Sequence, residues 1–258
     1  MKSDPWAQAS RARSRDRWAI AAARWNCALT DALIEAANIP LEALVLDVAC
    51  GSGEPALDIL QRFPSSRVIA FDTSAPGLVL ASEKCRSAGV SSRVLFAQAD
   101  VHSLPLRSES IDRTTCRFGV MFFEDIRRAL SEVRRVLKAR GRVALLAWGP
   151  FEQPLFESTM AIVLKSIPGA QLPSFSRMAH RFASPGCLSA ELQKAGFQDV
   201  SERAMVLPRI WAGSAEELWE FQQEISIQFR PLLGEIPETL KSKIDTEVTA
   251  RLEHFRSG

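Results

Sequence analysis

Val45-Leu46-Asp47-Val48-Ala49-Cys50-Gly51-Ser52-Gly53-Glu54-Pro55 passes without a break from an apolar, β-branched run into two glycines and a proline. The run reads as a strand buried on both faces. Gly51 and Gly53 allow positive φ and let another group come close to the backbone, while Pro55 suits a first helical turn, where its missing N–H costs little. The stretch is therefore a strand, a tight turn and a helix start whose exposed N–H groups favour an anionic group such as a carboxylate or phosphate.

The same rhythm continues outward. Strands are expected at residues 43–48, 67–71, 93–97, 113–118 and 142–148, and helices at 55–61, 76–88 and 124–140, with Gly89 and Gly141 at helix C-termini. In the last helix Ile126, Leu130, Val133 and Leu137 keep one apolar face. Strand and helix in alternation imply an α/β, Rossmann-like parallel sheet, because right-handed crossovers are the common way to join such strands. Residues 41–150 form this core and residues 1–40 a helical arm or lid. Residues 151–258 carry lid helices packed on the core: a helix at 155–165, a Pro/Ser-rich connector at 168–185, a helix at 188–195, a sixth strand within 200–211 and two final helices. The last helix aligns Leu240, Ile244, Val248 and Leu252 as a packing stripe.

Composition narrows the function. With 258 residues, 47% hydrophobic and 24% charged, the chain can bury a core through most of its length. A formal charge of +2, from 32 basic and 30 acidic residues, is too small for broad nucleic-acid or membrane-surface binding, which leaves a small molecule as partner. Arg11, Arg13, Arg15 and Arg17 read as a solvated helix face. Five scattered cysteines without a CxxC pair, and three histidines away from ligand spacing, point to neither disulfides nor a metal site. No apolar run reaches the roughly 18 to 20 residues of a bilayer span, so no stable membrane insertion is expected. A cytoplasmic monomer or homodimer fits. The Ala/Arg/Ser-rich stretch 8–24 suits a docked helix better than a transit peptide.

Read as a loose dinucleotide pattern, Gly51-Ser52-Gly53-Glu54-Pro55-Ala56 has Asp72 near the distance of a ribose-binding acid. Asp47 and Glu54 argue against a pyrophosphate, since both carboxylates repel phosphate and welcome an ammonium. Asp72, Asp100 and Arg117 stand at C-terminal strand edges, where open α/β sheets bind ligands, and they converge if the strand order is 3-2-1-4-5. Asp72 can then accept from two vicinal ribose hydroxyls and Asp100 from an adenine amino group. Each acid has an alternative as a helix N-cap or turn residue.

The motif Asp47-Val48-Ala49-Cys50-Gly51-Ser52-Gly53, with Asp72 in Val68-Ile69-Ala70-Phe71-Asp72-Thr73-Ser74 and Asp100 in Ala97-Gln98-Ala99-Asp100-Val101, resembles the class I S-adenosylmethionine-dependent methyltransferases. It resembles the bacterial quinone-pathway type in particular, and residues 40–150 carry the resemblance. Ala49 stands where the family often has its first glycine, and Ala139-Arg140 where it often has Pro-Gly. Nothing after Trp211 corresponds to the family's seventh strand. The resemblance implies S-adenosylmethionine as cofactor, held by Asp47, Ala49, Gly51, Gly53, Asp72, Thr73, Asp100, Val101, Arg117 and Phe118.

Such a cofactor already activates its methyl group, so the protein mainly aligns the reactants and excludes water. A phenol or enol acceptor must still lose its proton, and His180 is the candidate general base, with a structural histidine as the alternative. His102 follows Asp100 and can close the adenine pocket. Trp18, Trp25, Trp148, Phe151, Phe156, Phe175, Phe182 and Trp211 concentrate rings outside the common sheet. Of these, Trp25, Trp148, Phe151 and Phe182 are the candidate substrate-binding residues for a hydrophobic phenol, quinol or polyketide-like acceptor. An NAD(P)-dependent oxidoreductase and a non-catalytic cofactor-binding protein are the competing readings.

Overall fold

The computed structural model describes residue 21 and residues 24–255. Trp18 and the arginines at 11, 13, 15 and 17 lie outside the described residues. The first described helix, α1 (Cys27–Ala37), ends at Asn38 in the left-handed conformation and leads into β1 (Leu44–Val48). There follow α2 (Ala56–Arg62), β2 (Arg67–Asp72), α3 (Ala75–Ser87), β3 (Val94–Gln98), β4 (Ile111–Arg117), α4 (Ile126–Val136) and β5 (Leu137–Leu146). Side chains of Ser74 and Asp125 accept the Gly77 and Arg128 N–H groups, capping α3 and α4. Gly89, at φ 70°, ends α3 as its position in the sequence suggests.

All sheet pairings are parallel, as the alternation of elements implies, and the order is β3-β2-β1-β4-β5, the one in which the candidate residues converge. The register sets Asp47 opposite Ala70 and Thr115, Asp72 opposite Gln98, and Arg117 opposite Leu146. This aligns the C-terminal strand ends on one rim. Val45 joins a core with Leu33, Ile59, Leu60 and Val68, whereas Leu46 and Val48 join Ile111, Val133 and Val136 on the opposite face. Each such fully buried side chain contributes roughly 1.5 to 3 kcal/mol relative to exposure. Asp47 shares the face of Val45 and lies wholly buried there.

Beyond β5 come α5 (Pro154–Glu157), α6 (Met160–Ser166), α7 (Ser174–Ala179), α8 (Cys187–Lys194), α9 (Ala215–Ile225), α10 (Arg230–Gly234) and α11 (Glu238–Glu253). Ile244, Val248 and Leu252 of α11 pack with Phe156, Met160, Trp219 and Phe229, so the expected stripe is core.

Two expectations are corrected. The helix expected to run to residue 140 stops at Val136, because the loop before β4 takes its last carbonyls: Glu109 and Ser110 N–H donate to Arg135 and Val136 O, at 3.0 and 2.9 Å. Gly141 consequently lies inside β5, where a Cβ would sit 2.8 Å from the Leu137 side chain. The sixth strand is also absent: among the described residues the sheet has five strands, and residues 199–212 form none. The ends of this segment are tied elsewhere. Glu202 accepts the Gly186 and Ser189 N–H groups at 2.9 Å, and Ala212 N–H donates to Ala21 O at 3.1 Å. Pro208 lacks a donor for any ladder, and Val206 points into solvent. Between this segment and the outer edge of β5 lies an open cavity of about 2200 Å³, lined by Leu145, Trp148, Phe182, Leu207 and Trp211 among others.

Candidate active site

At the end of β1 the chain turns through Ala49 (φ 55°), Gly51 (φ 53°) and Gly53 (φ 98°). A Cβ on Gly51 would face open space, whereas one on Gly53 would meet Ala81 Cβ of α3 at 3.0 Å. Gly51 thus exposes backbone to a ligand and Gly53 permits close packing behind it. Asp72, at the end of β2, accepts the Gly51 N–H at 2.8 Å and the Ser74 N–H at 2.7 Å, one on each oxygen. The glycine turn is thereby bonded to the second-strand acid. Thr73, beside it, accepts Gln98 Nε2 at its carbonyl.

Asp47 Oδ1 accepts Thr115 Oγ1–H at 2.8 Å, while Oδ2 is buried without a hydrogen-bond partner. Burial pushes the carboxyl up to about 7, against the Thr115 hydrogen bond, the Arg117 charge and the nearby Ala56 backbone N–H, which pull it down. A buried unpartnered carboxylate oxygen is costly unless a donor or cation reaches it.

Glu54 has its cations within the protein. Arg117 Nη2 lies 2.7 Å from Glu54 Oε2 and Lys84 Nζ 3.0 Å from Oε1. Although burial raises its carboxyl, these two charges bring it down to about 2. Glu54 is therefore not the free anion that its place in the motif suggests. Arg117 also donates Nη1–H to Thr30 Oγ1 of α1 at 2.8 Å, so its guanidinium holds the turn and α1 together. Neither Lys84 nor Thr115 stands out in the sequence, because both reach the site through long-range contacts.

Asp100 follows β3 and is exposed on the rim, while Val101 is buried beneath. Its Oδ1 accepts the His102 N–H at 2.9 Å and lies 2.5 Å from His102 Nδ1. These bonds, the backbone one foremost, hold the Asp100 carboxyl below the usual carboxylate range.

After β4, Phe118 (φ 58°) stacks on Trp148 with ring centroids 4.3 Å apart. Trp148 leans on Phe156 at 5.5 Å, and Phe156 stacks on Phe151 at 5.5 Å. His180 stands edge-on to both phenylalanines, 5.9 Å from Phe151 and 5.5 Å from Phe156. Its Nδ1 is 2.8 Å from Gly149 O and its Nε2 is buried without a partner. A carbonyl only accepts, so Nδ1 carries the hydrogen and Nε2 the lone pair. Burial lowers the His180 pKa, keeping the ring neutral. Arg181, just beyond α7, donates to Val120 and Phe123 O at 3.0 and 2.8 Å, tying its segment to the one after β4.

The other two ring candidates lie apart. Trp25 is buried against Phe221 and Trp211 at 5.8 and 6.1 Å, and it approaches Trp148 through Arg209, whose guanidinium carbon is 4.8 Å from each indole. Phe182 packs under Arg181 on the α4 side of the sheet.

Residues 45–141 match the methyltransferase domain family. The chain is 30% identical over 67% of its length to 81% of a demethylmenaquinone methyltransferase from Thermus thermophilus. It is 33% identical over 66% of its length to 71% of a ubiquinone/menaquinone biosynthesis C-methyltransferase from Allorhizobium ampelinum. This chain belongs to the class I S-adenosylmethionine-dependent methyltransferases. Among solved structures, the methyltransferase superposes on the YcgJ protein from Bacillus subtilis with a TM-score of 0.52 and 26% identity, over 84% of this chain and 82% of that one. It shares its fold with an S-adenosyl-L-methionine-dependent methyltransferase structure from Methanococcus maripaludis, at a TM-score of 0.57 and 21% identity over 82% and 93% of the chains. The methyltransferase thus takes S-adenosylmethionine, and the dinucleotide oxidoreductase and non-catalytic readings fall away.

The residues fit that cofactor. The orphaned Asp47 Oδ2 calls for a donor such as an ammonium, Gly51 leaves its backbone open, and Asp72 lies on the same rim. Among the described residues no three His, Cys, Asp or Glu side chains gather as a metal site, and no helix is long and apolar enough to cross a membrane.

Proposed function

We propose that this methyltransferase methylates a carbon or oxygen of a hydrophobic small molecule bearing an acidic hydroxyl, a phenol, quinol or enol, with His180 as general base. In this reading Asp47 receives the cofactor ammonium, Gly51 and Gly53 shape the backbone around it, Asp72 accepts the ribose hydroxyls and Asp100 the adenine amino group. Ala49, Thr73, Val101 and Phe118 line the same pocket, and Arg117 supports the turn from behind. Trp148 and Phe151 offer flat apolar faces to the acceptor ring, with Trp25 and Phe182 at its periphery.

The observation that carries the reading is the His180 imidazole: neutral, fixed by the Gly149 carbonyl, and presenting an unused Nε2 lone pair among phenyl rings. A buried acceptor atom left alone costs free energy until an O–H donor meets it. The acceptor hydroxyl gives its proton to Nε2, and the resulting phenolate attacks at oxygen or at a ring carbon. The cofactor supplies a methyl carbon activated by its sulfonium, and the carbon–sulfur electron pair leaves with sulfur as a neutral thioether. Transfer to carbon ends with loss of the ring proton. The two relatives are named for quinone-pathway methylation, which favours a quinol, and the Allorhizobium one is named as a C-methyltransferase, which favours transfer to carbon.

The test is a panel of phenols and quinols assayed by mass gain. His180→Ala should lower kcat about 100-fold or more on the best acceptor, with S-adenosylhomocysteine affinity unchanged, and should remove the fall in wild-type rate on the acid side. A kcat within about threefold of wild type would end the assignment of His180.

A further inference from the structure

We infer that His102 is a positioning residue that locks Asp100 for the adenine ring and thereby sets the preference for an adenosyl over an inosyl cofactor. The inference rests on the reading of Asp100 as the adenine-contacting acid. An exposed aspartate on a loop after a strand is otherwise free to turn about its side-chain bonds, and ordering it on ligand binding costs conformational entropy.

His102 removes that freedom in this protein. Its backbone N–H and its Nδ1 both meet the same oxygen, Asp100 Oδ1, at 2.9 and 2.5 Å. The imidazole is itself anchored. Asp125 N–H, at the start of α4, donates to Nε2 at 3.2 Å, so Nε2 is the acceptor and Nδ1 carries the hydrogen toward Asp100. Arg128 Nε donates to the His102 carbonyl at 2.9 Å, and the ring meets Phe123 edge-on at 6.3 Å. Both His102 donors fall on Oδ1 of a solvent-exposed side chain, which leaves the acceptor capacity of Oδ2 for a ligand donor. An exocyclic amino group supplies the matching donor. Hypoxanthine presents a carbonyl at that position, which faces the carboxylate oxygen as a second acceptor and is rejected.

The experiment compares binding of S-adenosylhomocysteine and S-inosylhomocysteine by calorimetry in the whole protein. Wild type should prefer the adenosyl compound by about tenfold or more. His102→Phe should erase most of that preference by weakening the adenosyl compound alone. His102→Asn, whose amide nitrogen can stand where Nδ1 does, should recover it. Equal weakening of both ligands by His102→Phe, or no recovery with His102→Asn, would overturn the role of His102. If Asp100→Ala leaves the adenosyl compound's affinity unchanged, the adenine reading of Asp100 falls and the inference with it. If Asp100→Ala weakens binding while His102→Phe does not, only the His102 role falls.

Discussion

Gly119 is the position where one added methyl group should do most damage. The departure from the family's glycine motif at Ala49 puts a Cβ on a residue at φ 55°, and that methyl occupies the space directly over Gly119. An ideal Cβ on Gly119 would lie 2.4 Å from Ala49 Cβ and 2.9 Å from Cys116 Sγ. Carbon atoms in contact prefer about 3.5 to 4.0 Å, so the intrusion exceeds 1 Å, and neither neighbour can easily give. Cys50 N–H bonded to Phe71 O pins the turn beside Ala49, and Cys116 is fully buried in β4. Overpacking of this kind costs about 1 to 3 kcal/mol, and the rigidity here points to the upper half, about 2 to 3 kcal/mol. For a chain of this size that lowers Tm by roughly 4 to 12 °C. The same strain displaces the glycine turn, so S-adenosylhomocysteine should bind Gly119→Ala more weakly. Ala49→Gly in the same chain removes the opposing methyl and suits the positive φ, so the double variant should recover about 1 to 2 kcal/mol through coupling of touching residues. Urea denaturation of the four proteins in the cycle measures this. A loss below about 0.5 kcal/mol for Gly119→Ala, or strict additivity with Ala49→Gly, would refute the packing argument.

Four other perturbations follow from the charges around the turn. Asp47 holds its proton up to about pH 7 in the native state but only to about 3.8 when unfolded, so its contribution to ligand-free stability is lost as pH rises from about 4 to 7. Asp47→Asn should flatten that slope, stabilise the ligand-free protein at pH 8 by at most about 4 kcal/mol and weaken S-adenosylhomocysteine; an unchanged pH–stability profile would contradict it. Glu54 has the opposite sign. Its carboxyl is held down to about 2 instead of 4.5, so its stabilisation is complete above about pH 4.5 and disappears toward pH 2, a loss that Glu54→Gln should abolish in acid unfolding curves. Arg117→Met strands that carboxylate and should cost about 3 kcal/mol in denaturant melts, whereas a cost under about 1 kcal/mol would show that Lys84 alone suffices. Asp72→Ala should weaken S-adenosylhomocysteine by about 1 to 3 kcal/mol in calorimetry, and unchanged affinity would remove Asp72 from the site.

What could be read from residue order alone was everything governed by local spacing. Five apolar runs, most of them separated by helical segments, imply a parallel sheet, because right-handed crossovers are the common way to connect such strands; the order 3-2-1-4-5 is the condition under which the candidate residues converge, and the pairings show it. Glycine at 51 and 53 and acids at 47, 72 and 100 follow from what a turn and a strand end demand of their residues, and they mark the rim before any contact is known. What needed the fold were interactions between residues distant in sequence. Thr115 beside Asp47, 68 positions away, and Lys84 and Arg117 on Glu54, 30 and 63 positions away, carry no local signature. The same holds for the early end of α4, where carbonyls are taken by a loop 26 residues upstream, and for residues 199–212, apolar enough for a strand but tied at both ends away from β5. His180 was recognisable as a histidine among phenylalanines. Which of its nitrogens is spent on Gly149 and which is left without a hydrogen-bond partner is decided in three dimensions, since a hydrogen bond depends on distance and direction and spacing along the chain specifies neither.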